Sequence, residues 1–585
     1  MGDRKAAELG GVVGASAARA ARRRWLAMPF IALGVAMIIV DATIVNVALP
    51  TIIRQLHIDA VTAEWVNSMY SLVFAALLIS AGRLGDALGR RRLFVIGTVV
   101  FVAASLVSAT AGSGAVLLFG RFLQGVGGAM VLPSTLSSVN AIFTGRERAA
   151  AFAIWGSTIG GVAALGPLLG GYLTTDFSWR WAFLINVPIG VAVVAGAWLL
   201  VPESRDPGST GPTDLLGNIL SALGLGGLVF GLIEAQSYGW WRAIVAVRLG
   251  PLSFARGGLS PVPFALALFV VAGLAFVVQE RRRARIGRPG LVDPGLFRIR
   301  SFALGNVAAL IVSLGEFGIL FALPLFLQGV HDYSAFATGV LLLALAAGSL
   351  AAGGATPVLA RRIGARGVAR LGMTLEVLGI AGLGLSLSAS GSGWRLVPAL
   401  VIYGLGVGMA TAQLTGVILE EVPVEASGQG SGIQSTFRQV GSALGIAVLG
   451  TVLFTSLGRE VSNRLATLGV GAGQRAALAA AVRNSGGAAI PALGHLPGGA
   501  ALVHAAGLAM TAAARDAAWF AASFVAVGLL ATFALPRAQG TATLEERGAA
   551  GRPAVRAPEQ EPTSGSEPER EPALEPDVVG GSVSA

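Results

Sequence analysis

Apolar residues run along this chain in stretches of about 20, each closed by a short polar or arginine-bearing segment. A helix rises about 1.5 Å per residue, so one such run crosses the roughly 30 Å hydrocarbon core of a bilayer. Fourteen transmembrane helices are predicted, at 26–50, 65–84, 93–111, 115–138, 150–173, 182–201, 215–234, 263–279, 302–328, 335–360, 367–388, 396–419, 432–456 and 516–535. An even count returns the C-terminus to the side of the N-terminus. Loop charges agree: Arg90, Arg91 and Arg92, Arg146 and Arg148, Arg281, Arg282 and Arg283, and Arg361, Arg362, Arg366 and Arg370 all fall on that side. This positive-inside bias makes it the cytoplasmic face, with both termini in the cytoplasm and a multi-pass protein in the cell membrane. Opposite loops are poorer in charge, although Arg242, Arg248 and Arg256 follow the seventh run.

The segments between and beyond the runs set the remaining organisation. Residues 1–25 are Ala/Gly-rich, carry Arg22, Arg23 and Arg24 at their end, and are expected to form a flexible cytoplasmic tail. A cleaved signal peptide is disfavoured, because the apolar run that follows exceeds a 7 to 15 residue signal core. Residues 457–515 are expected as a long Ala/Gly-rich outer loop with room for short helices. From 537 to 585 the chain turns to Pro, Glu and Gly, a composition too poor in apolar residues to fold, so a disordered cytoplasmic tail is expected.

Composition narrows the class. At 585 residues, 54% hydrophobic and 12% charged, the chain is too apolar for a soluble protein of this size. Its net charge of +11 is mostly arginine in alternate loops, which argues for membrane topology and against nucleic acid. With no cysteine, disulfides, thiolate metal sites and thiol catalysis are excluded. The four histidines, His57, His331, His495 and His504, all fall in predicted loops, which excludes a histidine metal cluster within the membrane.

Against this apolar background, ionisable residues inside the runs stand out. Asp41 lies deep in the first run, where an ionised aspartate costs roughly 2.5 to 3.5 kcal/mol on insertion scales and calls for a partner. Arg121 in the fourth run is the candidate. If the first helix runs outward, Asp41 lies about 14 Å from its outer end; the fourth runs inward and places Arg121 about 9 Å deep on the same side. The two can meet, and an acid beside an arginine holds its proton less tightly than one without. Glu316 and Glu376 lie near mid-membrane and are candidates for substrate charge or a second protonation site, with a purely structural role the competing reading. Gln413 is a further polar candidate of the pathway. Glu234 precedes Trp240 and Trp241 and is expected at the interface, and Arg438 is expected to anchor the start of the thirteenth run near the cytoplasm.

Several motifs resemble one family. The turn GRLGDALGRRR matches the loop-two signature G-x-L-x-D-x-x-G-R-R of the major facilitator superfamily at Gly82, Leu84, Asp86, Gly89, Arg90 and Arg91. The resemblance implies a latch between two halves in the outward-facing state. A degenerate echo, PVLARRIGARGVARLG at 357–372, keeps Gly364 and Arg366 but not the acid. RFLQGVGGAM matches R-x-x-Q-G at Arg121, Gln124 and Gly125, which that family uses in proton relay. ALGPLLGGYL carries the core of the antiporter motif at Gly166, Pro167, Gly170 and Gly171, with its upstream glycines displaced to Gly156, Gly160 and Gly161. The blocks DATIVNVALP (41–50, with Asn46 as a pathway candidate), WRWAFLINVPIG (179–190) and GQGSGIQSTFRQVGSALGIAVLGTVL (428–453) resemble the 14-span drug:proton antiporter-2 branch, as do 291–306 and 323–340.

The resemblance implies an all-α major facilitator fold: a six-helix bundle at 26–201, a linker with two extra helices at 202–290, and a second six-helix bundle at 291–536. It also implies proton-coupled efflux of small amphipathic compounds such as drugs, biocides or antibiotics by alternating access. The expected partners are protons, a small-molecule substrate and the lipid bilayer; a monomer is expected, without cofactor or metal. An uptake porter, or a dedicated exporter of a natural product, lipid or peptide, remains the alternative on the same scaffold. An enzyme would want a convergent nucleophile, base or metal set, and none is visible in the sequence.

Overall fold

The computed structural model describes residues 2–533, apart from 59, 163–164, 206–213, 250–251 and 289. The tail expected over 537–585 lies outside the described residues. In chain order the helices are α1 Gly2–Leu56, α2 Ala60–Leu88, α3 Arg90–Ala109, α4 Gly114–Ile142, α5 Gly145–Val162, α6 Leu165–Asp176, α7 Trp181–Leu184, α8 Asn186–Leu200, α9 Leu215–Ile233, α10 Ala235–Tyr238 and α11 Pro261–Arg285. The second part holds α12 Arg300–His331, α13 Ala335–Ser386, α14 Val397–Leu419, α15 Ser427–Thr467, α16 Ala472–Asn484 and α17 Gly499–Phe533. Among the described residues, twelve helices are long and apolar enough to cross a membrane.

The tenth and eleventh expected runs, 335–360 and 367–388, are two helices that meet at a kink at Gly364 (φ 72°, ψ 166°), together named α13. Only glycine takes that conformation without strain, and Gly89, with φ 105°, makes the matching turn between α2 and α3. The fifth run is covered by α5 and α6, with residues 163–164 between them outside the described ones. The expected tail 1–25 is helical from Gly2 and continuous with α1.

The expected loop 457–515 is mostly helix: α15 continues to Thr467, α17 begins at Gly499, and α16 lies between them. At about 1.5 Å per residue α15 is roughly 60 Å long, twice the hydrocarbon core, so its end stands clear of the membrane. Leu457, Val461, Leu465, Val482, Leu502 and Met510 are buried there in one cluster. The segment after α9 is not all-α: Val247–Leu249 (β1) and Leu252–Phe254 (β2) form an antiparallel hairpin. Glu234, expected at the interface, is buried beside it, and His504 lies inside α17 rather than in a loop.

Core packing is asymmetric along the bundle. At the arginine-rich end one cluster joins both halves, with Ile31, Phe94, Ile142 and Trp155 from the first and Phe302, Met373, Leu414 and Ile433 from the second. At the opposite end the halves keep separate cores: Ile44, Ile52, Leu117 and Phe183 in the first, and Leu323, Leu345, Leu400, Leu453 and Ala517 in the second. The helices α2 and α15 meet at Leu78 and Gly82 against Gly428 and Gly432. Farther along, α9 bridges them. Trp65 of α2 lies 5.8 Å from Phe230 of α9, and Gln236 just beyond α9 donates to the Ile446 and Ala447 carbonyls of α15.

Candidate functional site

Asp41 and Arg121 meet, as their depths predict. Arg121 Nη1 stands 2.6 Å from Asp41 Oδ2, and both side chains have no exposed surface. The other carboxylate oxygen accepts from Gln124 Nε2 at 2.7 Å and from Asn186 Nδ2 at 2.8 Å. Arg121 is held in turn: Nε donates to the Val66 carbonyl at 2.9 Å, Nη1 also donates to Gln124 Oε1 at 2.9 Å, and the guanidinium lies 4.5 Å from the Tyr70 ring centre. Ser105 Oγ accepts from both Gln124 (2.9 Å) and Asn186 (3.1 Å).

Five helices, α1, α2, α3, α4 and α8, thus place Asp41, Tyr70, Ser105, Arg121, Gln124 and Asn186 around one carboxylate. Charged hydrogen bonds of this kind are the strong ones, and they reduce the cost of desolvating the buried ion pair. Chemically the site can hold one negative charge in an apolar slab, or give it up to a proton. Asn186, Ser105 and Tyr70 were not among the candidates read from sequence. The signal available was a neutral polar residue inside an apolar run, notably Asn186 within WRWAFLINVPIG.

The antiporter motif sits against the same helix. A Cβ on Gly166 would overlap Thr43 Oγ1, two residues from Asp41. Gly170 is buried, and Gly171 faces Phe336 of α13 across the two halves. The displaced glycines make similar contacts, Gly156 with Ala412 of α14 and Gly161 with Leu350 of α13. The side chains of Asn46, Gly160 and Pro167 lie outside the described ones.

A second constellation closes the arginine-rich end. Asp86 accepts from the backbone N–H groups of Gly428 and Gln429, both at 2.8 Å, and from Arg90 Nη2 at 2.7 Å. Those two N–H groups belong to the first turn of α15, which has no acidic residue of its own there, so Asp86 caps a helix of the other half. Arg90, buried, donates to the Val424 and Glu425 carbonyls. Gly82 packs directly on Gly428, where any Cβ would clash. Arg91 does not cross to the second half; it pairs with Glu203 at 3.7 Å. Asn140 donates to Ser427 Oγ at 2.8 Å, Gln413 to the Ala149 carbonyl at 3.3 Å, and Arg366 of the degenerate echo pairs with Glu420 at 3.6 Å. Gln413 is therefore a contact between halves.

Glu316 and Glu376 lie together in the second half, within electrostatic reach of each other and of Arg438. Arg438, expected as an anchor, is instead paired with Glu316 at 3.6 Å. The reason is the start of α15 at Ser427, which carries Arg438 about 16 Å into the helix.

Comparison with known proteins agrees with this architecture. The model of the Major Facilitator Superfamily matches residues 31–446. The chain is 34% identical over 453 residues to the probable actinorhodin transporter of Streptomyces coelicolor, covering 75% of this chain and 74% of that protein. It is 31% identical to the tetracenomycin C resistance and export protein of Streptomyces glaucescens, covering 81% and 84%. With the multidrug efflux pump LfrA of Mycolicibacterium smegmatis it shares 34%, covering 76% and 84%. The human organic anion transporter MFSD10 has the same fold, with a TM-score of 0.54 at 14% identity over 87% of this chain and 99% of that one. The chain is a multi-pass membrane protein of the major facilitator superfamily and belongs to its drug efflux family.

Proposed function

We propose that this protein exports small amphipathic compounds, antibiotics among them, in exchange for protons, by alternating access across the cell membrane. The naming of its relatives as an antibiotic transporter, a resistance and export protein and a multidrug efflux pump supports the direction and the class of cargo. The single observation that carries the coupling is the buried Asp41–Arg121 pair at 2.6 Å. In the reading proposed, the arginine-rich end is cytoplasmic, the latch at Asp86 closes it, and a proton from outside neutralises Asp41. Arg121 and Gln124 then lose their anionic partner, and the interface between halves is free to rock. Such a carrier works as a monomer on the proton gradient, without a cofactor.

The test uses inverted membrane vesicles energised to pump protons inward, with ethidium and tetracenomycin C as cargo, with and without a protonophore. Uptake into vesicles should require the gradient and be abolished by D41N at unchanged expression. Gradient-driven uptake that D41N leaves intact would overturn the role of Asp41. Cargo movement indifferent to the protonophore would overturn the coupling itself.

A further inference from the structure

The second half repeats the geometry of the first with one substitution of partner. Asp41 lies on the first helix of the first half, followed by Pro50; Glu316 lies on α12, the first helix of the second half, followed by Pro324. The fourth helices align without a gap: RFLQGVGGAM at 121–130 against LVIYGLGVGM at 400–409. Gln124 then corresponds to Tyr403, Gly125 to Gly404, Gly127 to Gly406, and Arg121 to Leu400. The acid is kept and its arginine is gone from the expected helix. Arg438 replaces it from α15, brought to Glu316 by Gly441 and Gly445, which lie flush against the Leu310 and Leu314 backbone of α12.

One group has no counterpart in the first half. Glu376, on the second segment of α13, is fully buried, and neither of its carboxyl oxygens has a hydrogen-bond partner. Gly406 of α14 packs on its backbone and side-chain stem. The groups facing it are Glu316 from α12, Arg438 from α15 and Tyr403 from α14, whose hydroxyl donates to the Glu316 carbonyl at 3.1 Å. Beside this cluster α17 meets Gly315 through Val525 and the Ala521 backbone. Two carboxyls therefore share one cation. Arg438 balances one carboxylate, and a second ionised carboxyl without a partner in this apolar setting is too costly to persist.

We propose that Glu316, Glu376 and Arg438 form a second proton site, in which one proton is shared between two carboxyls against a single guanidinium. The site deepens the proton-coupled reading above: the protein carries a proton in each half. In the resting cluster Arg438 and Glu316 are charged and Glu376 holds the proton. Release of that proton to water leaves two carboxylates on one arginine, so the cluster loads and unloads as the halves admit or exclude solvent at Arg438, its most exposed member at 13%.

Infrared spectroscopy of the purified full chain in lipid nanodiscs tests this without any cargo. At neutral pH the wild type should show the carbonyl stretch of one protonated carboxyl that E376Q lacks. E316Q should lack it too, because Arg438 then ionises Glu376. R438Q should show twice the wild-type intensity, since both acids then take protons. The band should shift in deuterium oxide and disappear reversibly as pH is raised. An unchanged band in E316Q, or no difference between wild type and E376Q, overturns the proposal. So does a band indifferent to both deuterium oxide and pH, which marks a locked structural proton. D41N should keep the band, so this result stands apart from the vesicle assay: failure of gradient-driven uptake defeats the proposed function, and the band alone decides the second site.

Discussion

Asp86 receives the N–H of Gly428 at 2.8 Å, so a carboxylate on α2 caps the first turn of α15 from the other half of the protein. The same carboxylate holds Arg90 through Nη2, which also donates to the Val424 and Glu425 carbonyls. One acid thereby ties a helix start, a buried arginine and the chain leading into α15. Closure of this end follows from local needs: orphan N–H groups and a guanidinium that must be satisfied once water is excluded.

Removing that acid should open the end. D86A leaves Arg90 buried without its carboxylate and two N–H groups uncapped, a loss of about 3 to 5 kcal/mol for the closed arrangement. The chain has no cysteine, so a single introduced pair reports cleanly on it. Spin labels at L88C and V424C, both exposed positions, should show a longer and broader distance distribution in D86A than in the wild type. An unchanged distribution would mean that packing of Gly82 on Gly428 closes the end without the carboxylate.

The ion pair makes a separate prediction through a mutant cycle. R121Q leaves a buried aspartate without its cation, a change that typically costs about 3 to 5 kcal/mol. D41N with R121Q replaces both charges by amides and should recover much of that loss. The melting temperature of the purified protein should therefore fall in the order wild type, double variant, R121Q. Equal melting of R121Q and the double variant would show that Gln124 and Asn186 satisfy Asp41 unaided.

What the sequence reveals here follows from cost. Asp41 and Arg121 are expensive in a bilayer, so their depth alone pairs them correctly, and Gln124 follows from its motif. Ser105 and Asn186 are cheap neutral polar groups of a kind common on packed membrane helices, and nothing in a hydropathy pattern distinguishes them. Arg438 shows a different failure. Apolar residues begin near 432, but the helix begins at Ser427 in a glycine-rich turn capped from another helix, a tertiary contact that no local pattern records. The tail 1–25 and the segment 457–515 are Ala-rich and punctuated by charges: too polar to read as spans, yet built of strong helix formers.

The helical character of 457–515 can be checked at Val482 of α16, which is fully buried against the second-half core. V482D places an unpaired carboxyl in the apolar cluster that also holds Leu457, Val461 and Met510, and should destabilise this cap by several kcal/mol. Limited proteolysis of the reconstituted protein should then cut within 468–498 at protease levels that leave the wild type whole. V482A should behave closer to the wild type. Equal cutting of V482D and the wild type would mean that the segment does not pack as described.

Gly166 offers the sharpest local test, because its space is taken by one identifiable atom. A Cβ at 166 would lie within bonding distance of Thr43 Oγ1 and too close to Thr43 Cβ, so G166A forces α6 away from α1 two residues from Asp41. Overpacking of this kind costs typically 1 to 3 kcal/mol and displaces backbone. G166A should reach the membrane at near wild-type levels and lose at least about tenfold in transport rate, the size of a 1.4 kcal/mol change. Moving the missing Cβ to the other helix should undo it: T43G with G166A leaves room for the alanine and restores close approach. Recovery of gradient-driven uptake in the double variant, with T43G alone near the wild type, would show that the antiporter glycine acts by letting α6 lie against the Asp41 helix. If the double variant stays inactive, the Gly166–Thr43 contact is not what the glycine provides, and this reading fails.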